Sequence, residues 1–456
     1  MEVFGSSGVR GIALEELRPA DAMAVAQAAG AEFAGNAERV AVGRDTRVTG
    51  ELLADAVSSG LASVGCGVDR LGVVPTPSLQ AYCERVGVPG LMVTASHNPP
   101  RYNGIKLCES DGVELTLEAL ERIEQRLEAG PTLVSWEETG SAARIEGANR
   151  RYREELLAAV DRERIADADL TVALDPGHGA GALTSPEFFR QLGCRVVTVN
   201  AQQGGHFPGR RPEPVAANLA DLGRLVRAAG ADVGIAHDGD ADRAIFFDER
   251  GEFVEGDAAL AALATAELEA GDVVVSAVNA SQRLVDVADA AGAELRLTPI
   301  GSTHIITAIR EFAAEGASIP VAGEGNGGVI FPEYRTARDG AYTAARFCKL
   351  LAESPVSEVV AQYDGYDNVR HNVGYESEPQ REAMIDAIEA AAEEADARAD
   401  TIDGYRLNYD DAWVLARPSG TEPVIRVYAE ARNPDRAAAL ADDLLERIED
   451  AKRSVA

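Results

Sequence analysis

Apolar runs four or five residues long recur along this chain, and each empties into a loop crowded with polar residues. Gly90 to Thr94 leads into Ala95-Ser96-His97-Asn98-Pro99-Pro100, and Leu170 to Leu174 into Asp175-Pro176-Gly177-His178-Gly179-Ala180-Gly181. Val233 to Ala236 leads into His237-Asp238-Gly239-Asp240-Ala241-Asp242-Arg243, and Ile319 to Ala322 into Gly323-Glu324-Gly325-Asn326-Gly327-Gly328. Runs of that length suit buried strands, and helical stretches such as Pro19 to Phe33, Leu117 to Ala129 and Ser281 to Ala291 lie between them. A single helix is expected from about Tyr152 to Arg164, and Tyr102 to Leu107 reads as a turn into a strand. This alternation builds β-α-β units around a largely parallel sheet. Past Tyr366 the pattern changes to four strands (Tyr366 to Val373, Gly404 to Tyr409, Ala412 to Ala416, Val424 to Tyr428) with acidic helices at Gln380 to Ala397 and Asp435 to Lys452. That reads as a smaller α+β domain. A length of 456 residues predicts about three or four domains. We place them at 1–150, 151–252, 253–365 and 366–456.

Charge narrows the function classes. The formal net charge is −32, and of 43 basic residues only Lys106, Lys349 and Lys452 are lysines. An acidic surface that keeps arginine but nearly excludes lysine suggests a salt-rich cytoplasm, where screening weakens repulsion between carboxylates. It argues against nucleic acid, whose backbone needs a basic face, and against anionic membrane surfaces. The five cysteines form no C-x-x-C pair and are odd in number, so neither a disulfide framework nor a zinc site is expected. No leader-like or bilayer-length apolar run is present, so the expectation is a cytoplasmic protein, monomeric or a small homo-oligomer.

The loops carry the chemistry. Pro99 and Pro100 cannot continue a helix, so Ser96 stands on a rigid loop with its hydroxyl presented, as a nucleophile or phosphate carrier requires. A plain polar turn is the blander reading. Lys106 lies ten residues on, kept where arginine could have served any surface role. Arg10 ends the loop Phe4-Gly5-Ser6-Ser7-Gly8-Val9-Arg10-Gly11, either a simple turn or an anion wrap. The Asp175 to Gly181 loop fits no nucleotide motif. Asp238, Asp240 and Asp242 are costly together unless a cation neutralises them. An EF-hand is excluded because Arg243 stands where that loop needs glycine and the flanks read as strands. A divalent ion on a strand-to-strand turn is the remaining functional reading, against a merely solvated acidic turn. Glu324 and Asn326, set among glycines, can grip sugar hydroxyls, or the segment is only a glycine-rich hairpin. Arg417-Pro418-Ser419-Gly420-Thr421-Glu422-Pro423, with Arg426 on the following strand, reads as a phosphate clamp.

Together the T-A-S-H-N-P, D-G-D-x-D-R, G-E-x-N-G-G and R-P-S-G-T-E-P stretches, in this order, resemble the α-D-phosphohexomutase superfamily over nearly the whole chain. The resemblance implies three related α/β domains with mixed sheets, plus a smaller C-terminal α+β domain, around a central cleft. It implies that Ser96 is the phosphoserine and that Asp238, Asp240 and Asp242, with the Ser96 phosphate, hold Mg²⁺. It further implies that Arg10, His97, Lys106 and Arg243 surround the reacting phosphate and that Glu324, Asn326 and His304 meet the sugar. Arg417, Ser419, Gly420, Thr421 and Arg426 would hold the other phosphate. The implied reaction interconverts hexose 6-phosphate and 1-phosphate through a hexose 1,6-bisphosphate, which also acts as activator. His97 or Lys106, shifted toward neutrality, would serve as general base. The G-E-G-N-G-G form resembles archaeal phosphoglucosamine mutases, with mannose or glucose phosphate as the alternative sugar. A sugar-phosphate phosphatase and a non-catalytic sensor are the other classes; the second phosphate clamp disfavours the first, and the retained Ser96 and aspartates disfavour the second.

Overall fold

The computed structural model describes residues 8–35, 37–419 and 423–455. Its first sheet comprises β1 (Val9–Ile12), β2 (Arg39–Arg44), β3 (Gly67–Val73), β4 (Gly90–Val93), β5 (Tyr102–Cys108) and β6 (Ala142–Arg144), in the order β1-β5-β4-β2-β3-β6. The second comprises β7 (Thr171–Asp175), β8 (Arg195–Thr198), β9 (Val233–Ala236), β10 (Ile245–Phe247) and β11 (Phe253–Val254), ordered β11-β10-β9-β7-β8. The third comprises β12 (Val273–Ala277), β13 (Glu294–Thr298), β14 (Ala322–Glu324), β15 (Gly328–Phe331) and β16 (Arg335–Arg338), ordered β13-β12-β14-β15-β16.

These three sheets share one plan. In each, a central parallel strand (β4, β9 or β14) turns back into an antiparallel neighbour (β5, β10 or β15). The Ser96 loop, the aspartate loop and the glutamate-asparagine turn occupy that same point in their respective sheets. The sheets are therefore mixed rather than largely parallel, because each site loop is itself the reversal. The fourth sheet, β17 (Asp367–Gly374), β18 (Arg398–Asp400), β19 (Tyr405–Asn408), β20 (Ala412–Pro418) and β21 (Val424–Ala431), is antiparallel throughout, in the order β17-β21-β20-β19-β18.

Several boundaries differ from expectation. Tyr102–Cys108 is strand from its first residue, because Tyr102 pairs with Ile12 of β1. The helix expected from Tyr152 is two helices, Ala148–Ala159 and Arg162–Asp167, the second capped by the Asp161 side chain accepting from the Arg164 amide. The strand expected at Ile319 to Ala322 starts at Ala322, so Glu324 is a strand residue. Two short edge strands, β6 and β18, carry too little apolar pattern to be read from sequence. In the first domain the helices Pro19–Phe33 and Gly50–Ser63 lie very close. A Cβ on Gly60 would stand 2.5 Å from the Met23 carbonyl oxygen, so alanine and glycine set the spacing. Among the described residues no helix is long and apolar enough to cross a membrane.

Buried cations help dock the C-terminal domain: Arg283 of the third domain pairs with Glu430, and Arg406 reaches back. Arg406, 1% exposed, donates to the Val278 and Ala280 carbonyls of the third domain at 2.6 and 2.9 Å and stacks on Trp413. Leaving two buried carbonyls unpaired costs on the order of 2–4 kcal/mol. Arg406→Met should therefore split the calorimetric melting profile, with the C-terminal domain melting separately and earlier. An unchanged single transition would contradict this docking role.

Candidate active site

Ser96 is fully buried and adopts φ +49°, a left-handed conformation that costs an L-residue roughly 1–2 kcal/mol. The loop around it meets that cost with specific bonds. The Ser96 amide donates to Thr94 Oγ1 at 2.9 Å, and that hydroxyl donates to Asp45 Oδ2 at 2.7 Å. Ser96 Oγ in turn donates to Asp238 Oδ2 at 2.5 Å, which joins the first two domains at this hydroxyl. His97 Nδ1 is 3.4 Å from the same Oγ. Arg10, on β1 beside β5, reaches Asn98 Oδ1 at 3.0 Å.

The three aspartates divide their oxygens in one pattern. Asp240 Oδ2 accepts from Lys106 Nζ at 2.7 Å and from Thr76 Oγ1 at 2.5 Å. Asp242 Oδ2 accepts from Lys106 Nζ at 2.8 Å and from Arg338 Nη2 at 2.7 Å. Asp238 Oδ2 is taken by Ser96. The Oδ1 atoms of all three are buried with no hydrogen-bond partner. Unpaired buried carboxylate oxygens are expensive. Oxygens from the three carboxylates lie within 4.8 Å of one another, and a hard, all-oxygen donor set of that span fits Mg²⁺.

The electrostatics agree. Burial, then repulsion from Asp242 and Asp240, pushes the Asp238 carboxyl up to about 8. Burial also opposes ionisation of Asp242, but Arg338, Lys106 and Arg243 outweigh it and hold the group below the usual carboxylate range. Burial and Asp242 oppose ionisation of Asp240, yet Lys106 and Thr76 bring it below its ordinary value. The site therefore accommodates two carboxylates with its own cations and strains to hold the third. Burial alone would lower the Lys106 pKa, but Asp240 and Asp242 raise it, so Lys106 stands as a cation rather than the neutral base considered from sequence. His97 differs: Arg243, burial and Arg10 lower it well below the ordinary imidazole value. Arg243 approaches Asp238 and Asp242 at 4.0 and 3.9 Å.

Glu324 is buried at the end of β14, and its Oε2 accepts from Asn326 Nδ2 at 3.2 Å, while Asn326 Oδ1 accepts from the Gly328 amide. Asn326 thus closes the turn and orients Glu324. On the fourth sheet Arg417 and Arg426 are cross-strand partners, and Arg417 Nε is 2.8 Å from Asp403 Oδ1. Asp403 also accepts from the Ile300 amide, which brings the arginines to the third domain. His304, at the start of helix Ser302–Ala314, feels both Asp403 and Arg417; burial is the main cause of its lowered pKa. Ser419 follows β20, and Gly420 and Thr421 lie outside the described residues.

Four residues in or beside the site had no sequence-assigned role. Arg338 pairs with Asp242, Thr76 caps Asp240, Glu114 accepts from Ser302 Oγ at 2.8 Å beside Arg338, and Arg47 binds the Ser96 loop. Arg338 precedes Asp339-Gly340 in the sequence, but its approach to Asp242 is made only by the fold. Thr76 and Glu114 lie in runs with no motif.

Residues 1–133 match the profile of phosphoglucomutase/phosphomannomutase alpha/beta/alpha domain I, 150–251 that of domain II, 255–366 that of domain III and 377–447 that of the C-terminal domain. The chain is 42% identical over 452 residues to a probable phosphoglucosamine mutase of Methanopyrus kandleri, covering 98% of this chain and 97% of the relative. It is 40% identical over 446 residues to a phosphoglucomutase/phosphomannomutase of Thermococcus kodakarensis, covering 96% of each. A phosphoglucomutase/phosphomannomutase family protein of Burkholderia thailandensis superposes with a TM-score of 0.83 at 26% identity, covering 99% of this chain and 98% of that structure.

The raised Asp238 value gives a pH test. Its folded-state pKa of about 8 lies above the ordinary 3.8, so metal-free protein loses stability as pH rises through that window. A cation must displace the Asp238 proton. Calorimetric titration with Mg²⁺ in buffers of different ionisation enthalpy should show about one proton released near pH 6.5 and about none near pH 9.5. Equal proton release at both values would contradict the three-carboxylate assignment.

Proposed function

The chain belongs to the phosphoglucomutase/phosphomannomutase family, and on that footing we propose that it interconverts hexose 6-phosphate and hexose 1-phosphate through a phosphorylated Ser96. The observation that carries this reading is the bond from Ser96 Oγ to Asp238, one of three aspartates that each keep a buried, unpartnered oxygen. In the first transfer the bond between phosphorus and Ser96 Oγ breaks and one to a sugar hydroxyl oxygen forms, giving a hexose 1,6-bisphosphate. The bisphosphate turns end for end. Its other phosphoryl group then returns to Oγ, and the sugar oxygen that lost it takes a proton.

The chain's own groups divide this work. His97, kept neutral by Arg243, burial and Arg10, accepts the sugar hydroxyl proton and returns it in the second transfer. Lys106, Arg10 and Arg243 stabilise the phosphoryl oxygens in flight. Mg²⁺, held by Asp238, Asp240 and Asp242 with the phosphoserine as a further ligand, would supply Lewis-acid stabilisation of the same oxygens. Glu324 holds sugar hydroxyls, with Asn326 and His304 beside it. Arg417, Ser419, Gly420, Thr421 and Arg426 clamp the phosphate that is not reacting. Because the clamp must accept either end of the sugar, it sits on the small fourth domain.

Glucosamine phosphate is the sugar this reading favours, supported by the name of the Methanopyrus relative; glucose and mannose phosphates are the alternative, supported by the Thermococcus one. The surface, at −32 net charge, suits an enzyme working in concentrated salt. With Mg²⁺ and a trace of hexose 1,6-bisphosphate, phosphorus NMR should show 6-phosphate converting to 1-phosphate, fastest for glucosamine and best sustained at molar salt. Ser96→Ala should abolish conversion and any covalent phosphate seen by intact mass. Inorganic phosphate as the main wild-type product would overturn the mutase reading.

A further inference from the structure

Arg47 ends the run Gly43-Arg44-Asp45-Thr46-Arg47 beyond β2. Its side chain is buried, 1% exposed, yet it forms no part of the phosphate or metal groups described above. Its Nη1 and Nη2 donors all point at the segment from Ser96 to Tyr102, and Nε points at Asp45. Nη2 donates to the Ser96 and Asn98 carbonyls, each at 2.8 Å, and Nη1 to the Pro99 and Tyr102 carbonyls at 2.8 and 2.9 Å. Nε donates to Asp45 Oδ2 at 3.0 Å, the same oxygen that receives Thr94 Oγ1. The second domain covers the guanidinium: the Phe207 ring lies 5.3 Å below it and Gly205 bridges the Arg47 backbone.

That arrangement has a mechanical meaning. The loop from Ser96 to Arg101 contains two prolines and runs between β4 and β5 outside their ladder; of the carbonyls that Arg47 meets, that of Pro99 also accepts from the Tyr102 amide. Ser96 itself sits in an unfavourable backbone region. One planar guanidinium, with five N–H groups in a rigid fork, satisfies four carbonyls at once; an ammonium has neither the reach nor the fork.

We propose that Arg47 is the positioning residue for the phosphoryl carrier, holding the Ser96 loop so that Oγ occupies one place in both the donating and the accepting transfer. The inference rests on the mutase reading of Ser96. It goes beyond that reading by placing the precision of transfer in a residue that touches neither phosphate nor metal. The bond changes at Ser96 are unchanged by it.

The test is Arg47→Lys in the full chain, beside wild type, with hexose 1,6-bisphosphate to load Ser96 and hexose 6-phosphate as acceptor. A carrier displaced by about 1 Å costs roughly 100-fold in rate. The expected outcome is kcat down about 100-fold with KM for hexose 6-phosphate within about twofold of wild type. Thermal stabilisation by Mg²⁺ should persist, because the aspartate loop keeps Lys106 and Arg338. Inorganic phosphate formed per transfer should rise about tenfold, because a misplaced phosphoserine meets water more often than sugar. A kcat within about threefold of wild type would overturn the inference, as would joint loss of kcat, KM and the Mg²⁺ effect, which marks a general structural role. If Arg47→Lys does not fold, Asp45→Asn keeps the arginine and loosens its anchor; the same split at about tenfold is expected, and its absence counts against the inference. Wild type that neither loads Ser96 nor isomerises sugar phosphate would remove the mutase reading and this inference together. Active wild type with an equally active Arg47→Lys removes this inference alone.

Discussion

The structure depends on how three buried carboxylates are kept in company. Lys106 reaches from β5 of the first domain to Asp240 and Asp242 of the second, and Arg338 reaches from β16 of the third to the same Asp242. Withdrawing Lys106 would leave Asp240 buried without its cation, a loss of several kcal/mol, and withdrawing Arg338 would leave Asp240 and Asp242 to share Lys106. The aspartate loop is thus tolerable only when three domains are assembled around it. Domain docking and site formation are one electrostatic problem here, and this is why the loop reversals of the three sheets converge.

The same pairs divide the carboxylate oxygens in a definite way. Lysine, arginine, threonine and serine occupy the Oδ2 atoms, and the Oδ1 atoms are buried without a hydrogen-bond partner. Ser96 touches this set at Asp238, the carboxylate that the site's own cations neutralise least, so on the proposed reading a phosphoryl group on Ser96 Oγ would stand beside the place where Mg²⁺ would be held. Arg47 works from the opposite side, through carbonyls rather than charge. On the proposed reading, electrostatics would bring the phosphoryl group and the metal together, and backbone hydrogen bonds would decide where the carrier stands.

Much of this was legible in the sequence because buried charge is rare and therefore informative. Asp238, Asp240 and Asp242 declared a cation site by their mutual cost, and Lys106 stood out in a chain nearly without lysine. The strand ends before the Ser96 loop and at Asp175-Pro176 were readable from the residues that follow, whereas β14 runs through Gly323 to Glu324. What escaped depended on tertiary partners. The reversal into antiparallel strands could not be read from β10 or β15, since an apolar run of three or four residues does not announce its direction. Arg47 meets the Ser96 loop 49 to 55 residues on, Thr76 meets Asp240 164 residues on and Glu114 meets Ser302 188 residues on, and a single arginine or threonine carries no pattern. The charge state of Lys106 required knowing that both Asp240 and Asp242 reach it. His97 could be assigned as neutral only once Arg243 and Arg10 were seen beside it.

The central claim is that Ser96 Oγ carries one phosphoryl group between two positions of a sugar. It is tested most directly by loading the protein with hexose 1,6-bisphosphate labelled in both phosphates with phosphorus-32 and locating the label by peptide mapping. A chase with unlabelled hexose 6-phosphate then follows. The account predicts label on the peptide containing Ser96, passing in the chase to sugar at both the 1- and 6-positions. Label on another residue, or label leaving chiefly as inorganic phosphate, would contradict it.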